Sequence, residues 1–440
     1  MSQAMDIESA LGDPRLLEEL YHKARQAGTV VDFVAAIRQR YAATPDNLLL
    51  AAWYYRLQSE EAAAPLQRDM VRRINWPLAV PLGIILGLIY WILSDQKMVT
   101  PDGMPYVLIL WAPLAAMALI ALVTLGGSAG KPLWRSALVA LLVLALAIYA
   151  VWIGGQARAD YRVLSPIHLP LLAWAAVGLV VAGWGSDDRN RFAFLIKSTE
   201  AIVTGGIYGG AAGLFLAVTF GIFQAIGVIF PDALMRLLTA LAAGLVPLLA
   251  VATVYDARFS PIEQRFDEGL GKLIFTMGRF FLPLTLIVGV IYVLTIPFNF
   301  WKPFAERDVL IVYNAMLFAV MALLVFATPI TGEGLSSSVQ VWLRRGMLVV
   351  AILAILVSLY ALSAALYRTA TGGGITINRL TIIGWNVINI GILVDLVTRQ
   401  RRAGQAAWLS AQWRTARYGM IAYTVWAGFV LVVMPWLFPA

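Results

Sequence analysis

The chain has 440 residues, of which 60% are apolar and only 13% are charged. A soluble domain carries about 25% charged residues, so there is too little charge here to coat a water-soluble globule. There is no cysteine and there are only two histidines, His22 and His168. That excludes disulfides, thiolate metal sites and cysteine nucleophiles, and leaves no close ligand set for haem or copper.

Lysine and arginine number 33 against 25 for aspartate and glutamate. The first 75 residues hold 9 basic and 10 acidic groups, so the excess belongs to the apolar remainder. Basic residues in membrane loops are an orientation signal, and nucleic acid is not an expected partner. No cofactor is expected either.

Residues 1–75 read as a cytoplasmic helical module and linker. Asp13-Pro14 is an N-cap followed by proline at the first helical position. Leu16, Leu17, Leu20, Tyr21 and Ala24 recur at helical spacing, and Gly28 is a stop. Thr29 with Asp32 opens a second helix in the manner of a capping box. Val30, Phe33, Val34, Ile37 and Tyr41 share its apolar face. Thr44-Pro45 opens a third, with Leu49, Ala52, Trp53 and Leu57 on one side, and 58–71 reads as a polar linker or stalk. No apolar core follows Met1, so no signal peptide is expected.

Residues 76–440 read as a transmembrane helical domain. Eleven apolar segments lie near 76–93, 105–125, 133–153, 166–184, 199–229, 236–255, 272–296, 309–330, 346–367, 379–398 and 418–438. Each has about the length that crosses a hydrocarbon core about 30 Å thick. Alternate loops separate the basic residues into a set of 18, from Arg68 to Arg417, and a set of 8, from Lys97 to Arg379. The positive-inside rule then predicts a cytoplasmic N-terminus, an outside C-terminus and a bacterial inner-membrane location. The expected fold is all-α, a polytopic transmembrane helical bundle. An odd span number weakens an inverted-repeat transporter reading.

The stretch Gly126-Gly127-Ser128-Ala129-Gly130-Lys131 suggests a phosphate loop but lacks its first glycine, has Pro132 where Ser or Thr belongs, and follows a helix. It reads as a turn. In the fifth span, Gly205, Gly206, Gly209, Gly210 and Gly213 form interleaved four-residue series. Static helix packing is the expected use, and a helix that slides or lines a pathway is the alternative. Pro247 and Pro283 interrupt the sixth and seventh spans. Of the ionisable groups, Arg279 is placed to snorkel and Asp395 to pair with Arg399 one turn on. Gln224, Asn314, Asn386 and Asn389 are the candidate intramembrane polar groups, needing interhelical partners or a solute. His168 reads as interfacial.

The loop before the tenth span carries Arg368 and then Gly372-Gly373-Gly374-Ile375-Thr376-Ile377-Asn378-Arg379. Gly374 permits positive φ, Thr376 can cap the next helix, and Arg379 opposes that helix's dipole, which suggests a lipid phosphate or carboxylate partner. This turn resembles the Gly-Leu-Thr-x-x-Arg-like turn of a family of uncharacterised bacterial polytopic membrane proteins, a domain of unknown function. Gly374, Ile375, Thr376, Asn378 and Arg379 carry the resemblance, which extends over residues 190–440. It implies a multi-span fold and no particular activity.

The loop after the tenth span holds Arg399, Arg401, Arg402, Arg414 and Arg417, interleaved with Trp408 and Trp413. Residues 403–416 are expected to form a short helix on an anionic membrane surface. Together these features favour a non-enzymatic membrane protein acting through contacts, as an accessory subunit or scaffold. Its partners would be anionic lipid headgroups and a protein bound through the N-terminal module or the transmembrane surface. The alternative is a carrier or channel for a neutral or lipid-like solute. An enzyme ranks last, because clustered His, Cys, Asp or Glu at membrane depth is missing.

Overall fold

The computed structural model describes residues 13–27, 30–69, 74–101, 103–127, 133–154, 159–228, 230–266, 269–332, 335–372 and 374–438. Gly28, Thr29, Arg72, Arg73, Ser128 to Lys131, Arg158 and Gly373 lie outside those residues. The structure is 85% helical, and the chain divides into two compact units, Met1–Arg73 and Ile74–Ala440.

Among the described residues the first unit has three helices: α1 (Pro14–Ala27), α2 (Val30–Ala43) and α3 (Leu48–Asp69). Asp13 accepts the Arg15 amide through its carboxylate at 2.9 Å, as its cap position predicts. Leu17, Tyr21, Phe33, Ile37, Leu50, Trp53 and Leu57 form the core. The opening of α3 is corrected from Thr44 to Asn47, whose Oδ1 accepts from the Leu49 and Leu50 amides at 3.0 and 3.2 Å. The Asn47 side-chain carbonyl satisfies the orphan amides, while the hydroxyl of Thr44, three residues earlier, donates to the Arg40 carbonyl at 3.0 Å instead. The stalk at 58–69 is helical, continuous with α3. On the surface, Arg56 forms a fork with both Glu18 oxygens, at 2.7 and 3.1 Å. Its donation holds the Glu18 carboxyl below the ordinary carboxylate range.

Among its described residues the second unit has eleven helices long and apolar enough to cross a membrane. They are α4 (Trp76–Leu93), α5 (Tyr106–Leu125), α6 (Leu133–Gly154), α7 (Ala159–Ala182), α8 (Asp188–Ala225), α9 (Asp232–Val254), α10 (Gly269–Thr295), α11 (Arg307–Phe326), α12 (Ser337–Thr371), α13 (Ile377–Ala403) and α14 (Trp408–Gly428). The protein is thus an all-α, multi-pass membrane protein. We term the face that carries the larger basic set the basic side.

Three helices start nine to eleven residues earlier than hydropathy suggests. These are α8, α12 and α14, which begin at Asp188, Ser337 and Trp408. The first turns of α8 and α12 and the stretch 412–417 of α14 are polar, so an apolar window misses them, yet side chains at Asp187 and Ser336 cap two of the three helices. At 38 residues, α8 is about 57 Å long and exceeds the hydrocarbon thickness. The start of α14 also overturns the expected surface helix at 403–416. Only a short turn separates α13 from α14, and Trp408 is 1% exposed.

At its far end α14 widens into a π turn over Phe429–Val433. A π turn leaves carbonyls without their usual partners. Tyr161 of α7 and Tyr149 of α6 donate to the Leu431 and Val432 carbonyls at 2.8 and 3.0 Å.

The close helix crossing of the bundle is α4 on α9. A Cβ built on Gly244 would lie 2.3 Å from the Gly87 nitrogen and 2.5 Å from the Gly83 oxygen. Gly83 and Gly87 are four residues apart and so share one face of α4. Around this contact Ala79, Leu86, Tyr90, Ala240 and Leu248 are buried together.

The glycines of the fifth span do not pack in this way, which corrects the expectation. A Cβ on Gly206, Gly210 or Gly213 meets nothing within 4 Å among the described residues, and one on Gly205 or Gly209 meets only side chains of α9 at 3.7 Å or beyond.

Candidate functional site

A cavity of about 1340 Å³ lies along α8 and α9, bounded by α5 and α7 and touched by Tyr90 and Ser94 of the α4 end and by Tyr423 of α14; beside it the Tyr208 and Thr253 hydroxyls meet at 3.1 Å across the α8–α9 contact. Gly205, Gly209 and Gly213 supply its α8 wall, Ala243, Val246 and Ala250 its α9 wall, and Ala112, Ala116 and Ala173 the α5 and α7 walls. Small side chains from four helices face one another, so the helices cannot fill the space between them. Exposed Ile202 and Gly213 form its open rim. The lining runs over residues 197–216 of α8 and from Met235 of α9 to Tyr255 just beyond it. Each stretch rises about 30 Å, the thickness of the hydrocarbon core. The volume exceeds the roughly 300–1,000 Å³ of small-molecule pockets.

A cation stands at each end. On the basic side, Lys197 pairs with Glu200 at 2.8 Å, and their side chains are only 6% and 5% exposed. The Lys197 ammonium also donates to the Arg265 carbonyl and lies 4.5 Å over the Phe266 ring. A Cβ on Gly271 would sit 2.7 Å from Glu200 Oε1, so α10 needs glycine there to admit the carboxylate. At the other end Arg236 donates to the Ser94 carbonyl at 2.8 Å and to Asp95 Oδ2 at 2.9 Å. The Lys97 amide first, and Arg236 second, hold the Asp95 carboxyl below the ordinary carboxylate range.

The side wall leads into a buried polar cluster. Tyr423 donates to Asn389 Oδ1. The Asn389 amide nitrogen finds no partner among the described residues. Asn386 donates to Asn314 Oδ1 at 2.9 Å, so these two predicted amides meet across α13 and α11. His168 is 1% exposed, which corrects its interfacial placement. The reason is that α7 starts at Ala159, so His168 lies well inside the helix. Its Nδ1 faces the Leu164 carbonyl at 2.9 Å and its Nε2 faces the Trp385 indole N–H at 3.1 Å. A carbonyl requires a donor and an indole requires an acceptor, so the ring is neutral with its proton on Nδ1. Gln224 takes no part in the cluster. It is exposed near the far end of α8.

The turn at 374–379 is tied by its own side chains. Gly374 has φ +93°, and Thr376 Oγ1 accepts from the Arg379 amide at 3.3 Å. Arg379 donates to the Gly372 and Gly374 carbonyls at 3.0 and 2.6 Å, which answers the dipole conflict without a lipid or carboxylate. Asn378 donates to Asp160 at 2.8 Å and Arg368 to the Ala305 carbonyl at 2.7 Å.

Of the basic residues beyond α13, Arg399 pairs with Asp395 at 2.7 Å, as its spacing predicts. Arg417 pairs with Asp188 at 2.9 Å and Arg414 lies 3.9 Å from it, while Arg401 and Arg402 are exposed. Trp413 lies under the Arg189 guanidinium at 5.6 Å. Trp408 stands within hydrogen-bond distance of Gln340, inside the bundle and away from headgroups.

Lys197, Glu200, Arg236 and Tyr423 escaped the sequence reading as site residues. The four-residue string Lys197-Ser198-Thr199-Glu200 was the available signal, since a lysine and a glutamate three apart share a helix face. No protein-family model, curated protein or solved structure matches this chain. The resemblance of the 374–379 turn therefore rests on those residues alone.

Proposed function

We propose that this protein is a carrier for a lipid-like amphiphile bearing an anionic headgroup, acting in the bacterial inner membrane with its basic side in the cytoplasm. The observation that carries this reading is the cavity itself. It is apolar along its walls, about as long as the bilayer is thick, and has Lys197 at one end and Arg236 at the other. An apolar chain placed there loses no contact with water, because lipid is its alternative environment. Selection must then come from the ends, where an anionic headgroup would share Lys197 with Glu200 and Arg236 with Asp95. Two ends built alike suit a headgroup presented from either leaflet. The buried Lys197–Glu200 pair at the cavity end is already tied to the Arg265 carbonyl and the Phe266 ring, which favours passage or storage over a chemical step.

Accessory function at a membrane assembly is the second reading. It is favoured by the N-terminal unit, which has its own core and still exposes Leu48 at 86% and Tyr55 at 60%. That amount of bare apolar surface suits a protein partner.

Exchange between leaflets tests the carrier reading. Proteoliposomes containing a fluorescent phosphatidylglycerol are exposed to a membrane-impermeant quencher. Wild-type protein is expected to bring the inner-leaflet probe within reach of the quencher. Gly209→Trp places an indole in the cavity from a position whose Cβ meets only Val246 Cγ1, at 4.0 Å, and it should abolish the exchange. Equal exchange by the variant and the wild type sinks the reading.

A further inference from the structure

A second groove, of about 600 Å³, lies between α13 and α14, and no part of the cavity above contributes to it. Ile388, Gly391 and Ile392 form one wall and Ile421, Val425 and Trp426 the other. Its basic-side end is closed by Asp395, Arg399 and Tyr418. We propose that this groove binds one anionic phospholipid, with an acyl chain along Gly391 and the phosphate held between Arg399 and Arg417.

The headgroup end is built rather than incidental. Both Asp395 oxygens lie 2.7 Å from Arg399 Nε, and Thr415 Oγ1 donates to Asp395 Oδ2 at 2.8 Å. This fixes the Arg399 guanidinium 4.9 Å from the Tyr418 ring. Arg417 approaches the same ring at 5.0 Å and is itself tied to Asp188. Two guanidinium groups thus flank one phenol, and a guanidinium is the preferred partner of a phosphate.

The charge balance leaves a surplus. Arg399 pairs with Asp395, Arg417 and Arg414 share Asp188, and the sequence has no acidic residue between Arg399 and Arg417. These three guanidinium groups meet two carboxylates, three minus two, which leaves one surplus positive charge at the basic-side end of the groove.

The dimensions suit one leaflet. From Ile388 to Arg399 the α13 wall rises about 16 Å, half of a hydrocarbon core about 30 Å thick. The walls are bare, with Val425 66% and Ile421 45% exposed. Gly391 adds a recess, because a Cβ there meets nothing within 4 Å among the described residues.

Native mass spectrometry of the full-length protein in mild detergent tests the proposal. Phosphatidylglycerol and phosphatidylcholine of identical chains are titrated in turn. Wild-type protein is expected to retain one phosphatidylglycerol about tenfold more tightly than phosphatidylcholine. Arg399→Gln with Arg417→Gln should remove that preference. Gly391→Phe leaves every charge in place and fills the chain recess, and it should release the same lipid. Gly209→Trp, which blocks the other cavity, should leave it bound. That arm separates failure here from failure of the carrier reading. Equal retention of both lipids by the wild type overturns the proposal, as does undiminished phosphatidylglycerol binding by Gly391→Phe or by the double arginine variant.

Discussion

Gly244→Ala adds one methyl group where α9 meets α4. The new Cβ would lie 2.3 Å from the Gly87 nitrogen, 2.5 Å from the Gly83 oxygen and 2.6 Å from the Gly87 Cα. All three are main-chain atoms, so no rotamer change relieves the clash. Reaching even 3.0 Å requires the helices to part by about 0.7 Å. A gap of about 0.5–1 Å forfeits at least a quarter of the dispersion energy across an interface. Leu86, Leu248 and Tyr90 are the large side chains buried there. At about 15 cross-interface atom contacts each, worth about 0.15 kcal/mol apiece, a quarter comes to about 2 kcal/mol. That falls within the about 1–3 kcal/mol typical of overpacking. The matched control is Gly210→Ala, whose Cβ meets nothing within 4 Å among the described residues. Thermal unfolding in mild detergent should place Gly244→Ala about 2–4 °C below wild type and Gly210→Ala within about 1 °C of it. Identical midpoints for the two variants would refute the argument that α4 and α9 touch through backbone.

Glu200→Gln leaves the buried Lys197 ammonium without its carboxylate, and stability in detergent should fall by about 3–5 kcal/mol. Adding Lys197→Met should recover part of that loss, and a double variant weaker than the single one would contradict it. In the N-terminal unit the lowered Glu18 value contributes stability that is fully present above the ordinary carboxylate range and is lost as pH falls through the depressed value. Arg56→Ala should move the Glu18 titration back to the ordinary range, read by carboxyl NMR; an unmoved titration would exclude Arg56 as the cause. A reporter fused after Ala440 should read as periplasmic and one fused before Met1 as cytoplasmic; both ends on one side would contradict eleven crossings.

The spans were legible because apolar blocks of membrane length are a local property. The apolar block 76–93 forms the helix Trp76–Leu93. The capped polar starts of α8 and α12 were not legible by the same measure, since an apolar window ends where Lys197 and Ser337 begin to count against it. Reading the fifth span from 199 split Lys197 from Glu200 and hid the buried pair. The pairing of Asn386 with Asn314 was legible only as a need for partners, because nothing local to either residue names the helix opposite. Glycine spacing behaved likewise. The dense series at 205–213 drew attention, yet the contact is made by Gly83, Gly87 and a lone Gly244. Four-residue spacing identifies a face of a helix, and only the packed bundle decides whether a helix or a void lies against it.

Occupancy of the cavity between α8 and α9 is the most direct test. A photoreactive amino acid placed at Ala243, which lines the cavity, is irradiated in the membrane before purification. Mass spectrometry then identifies the adduct. The account predicts a covalently attached amphiphile with an anionic headgroup and an apolar chain, lost when Gly209→Trp is added. Adducts confined to bulk lipid in membrane proportions, unchanged by Gly209→Trp, would contradict it.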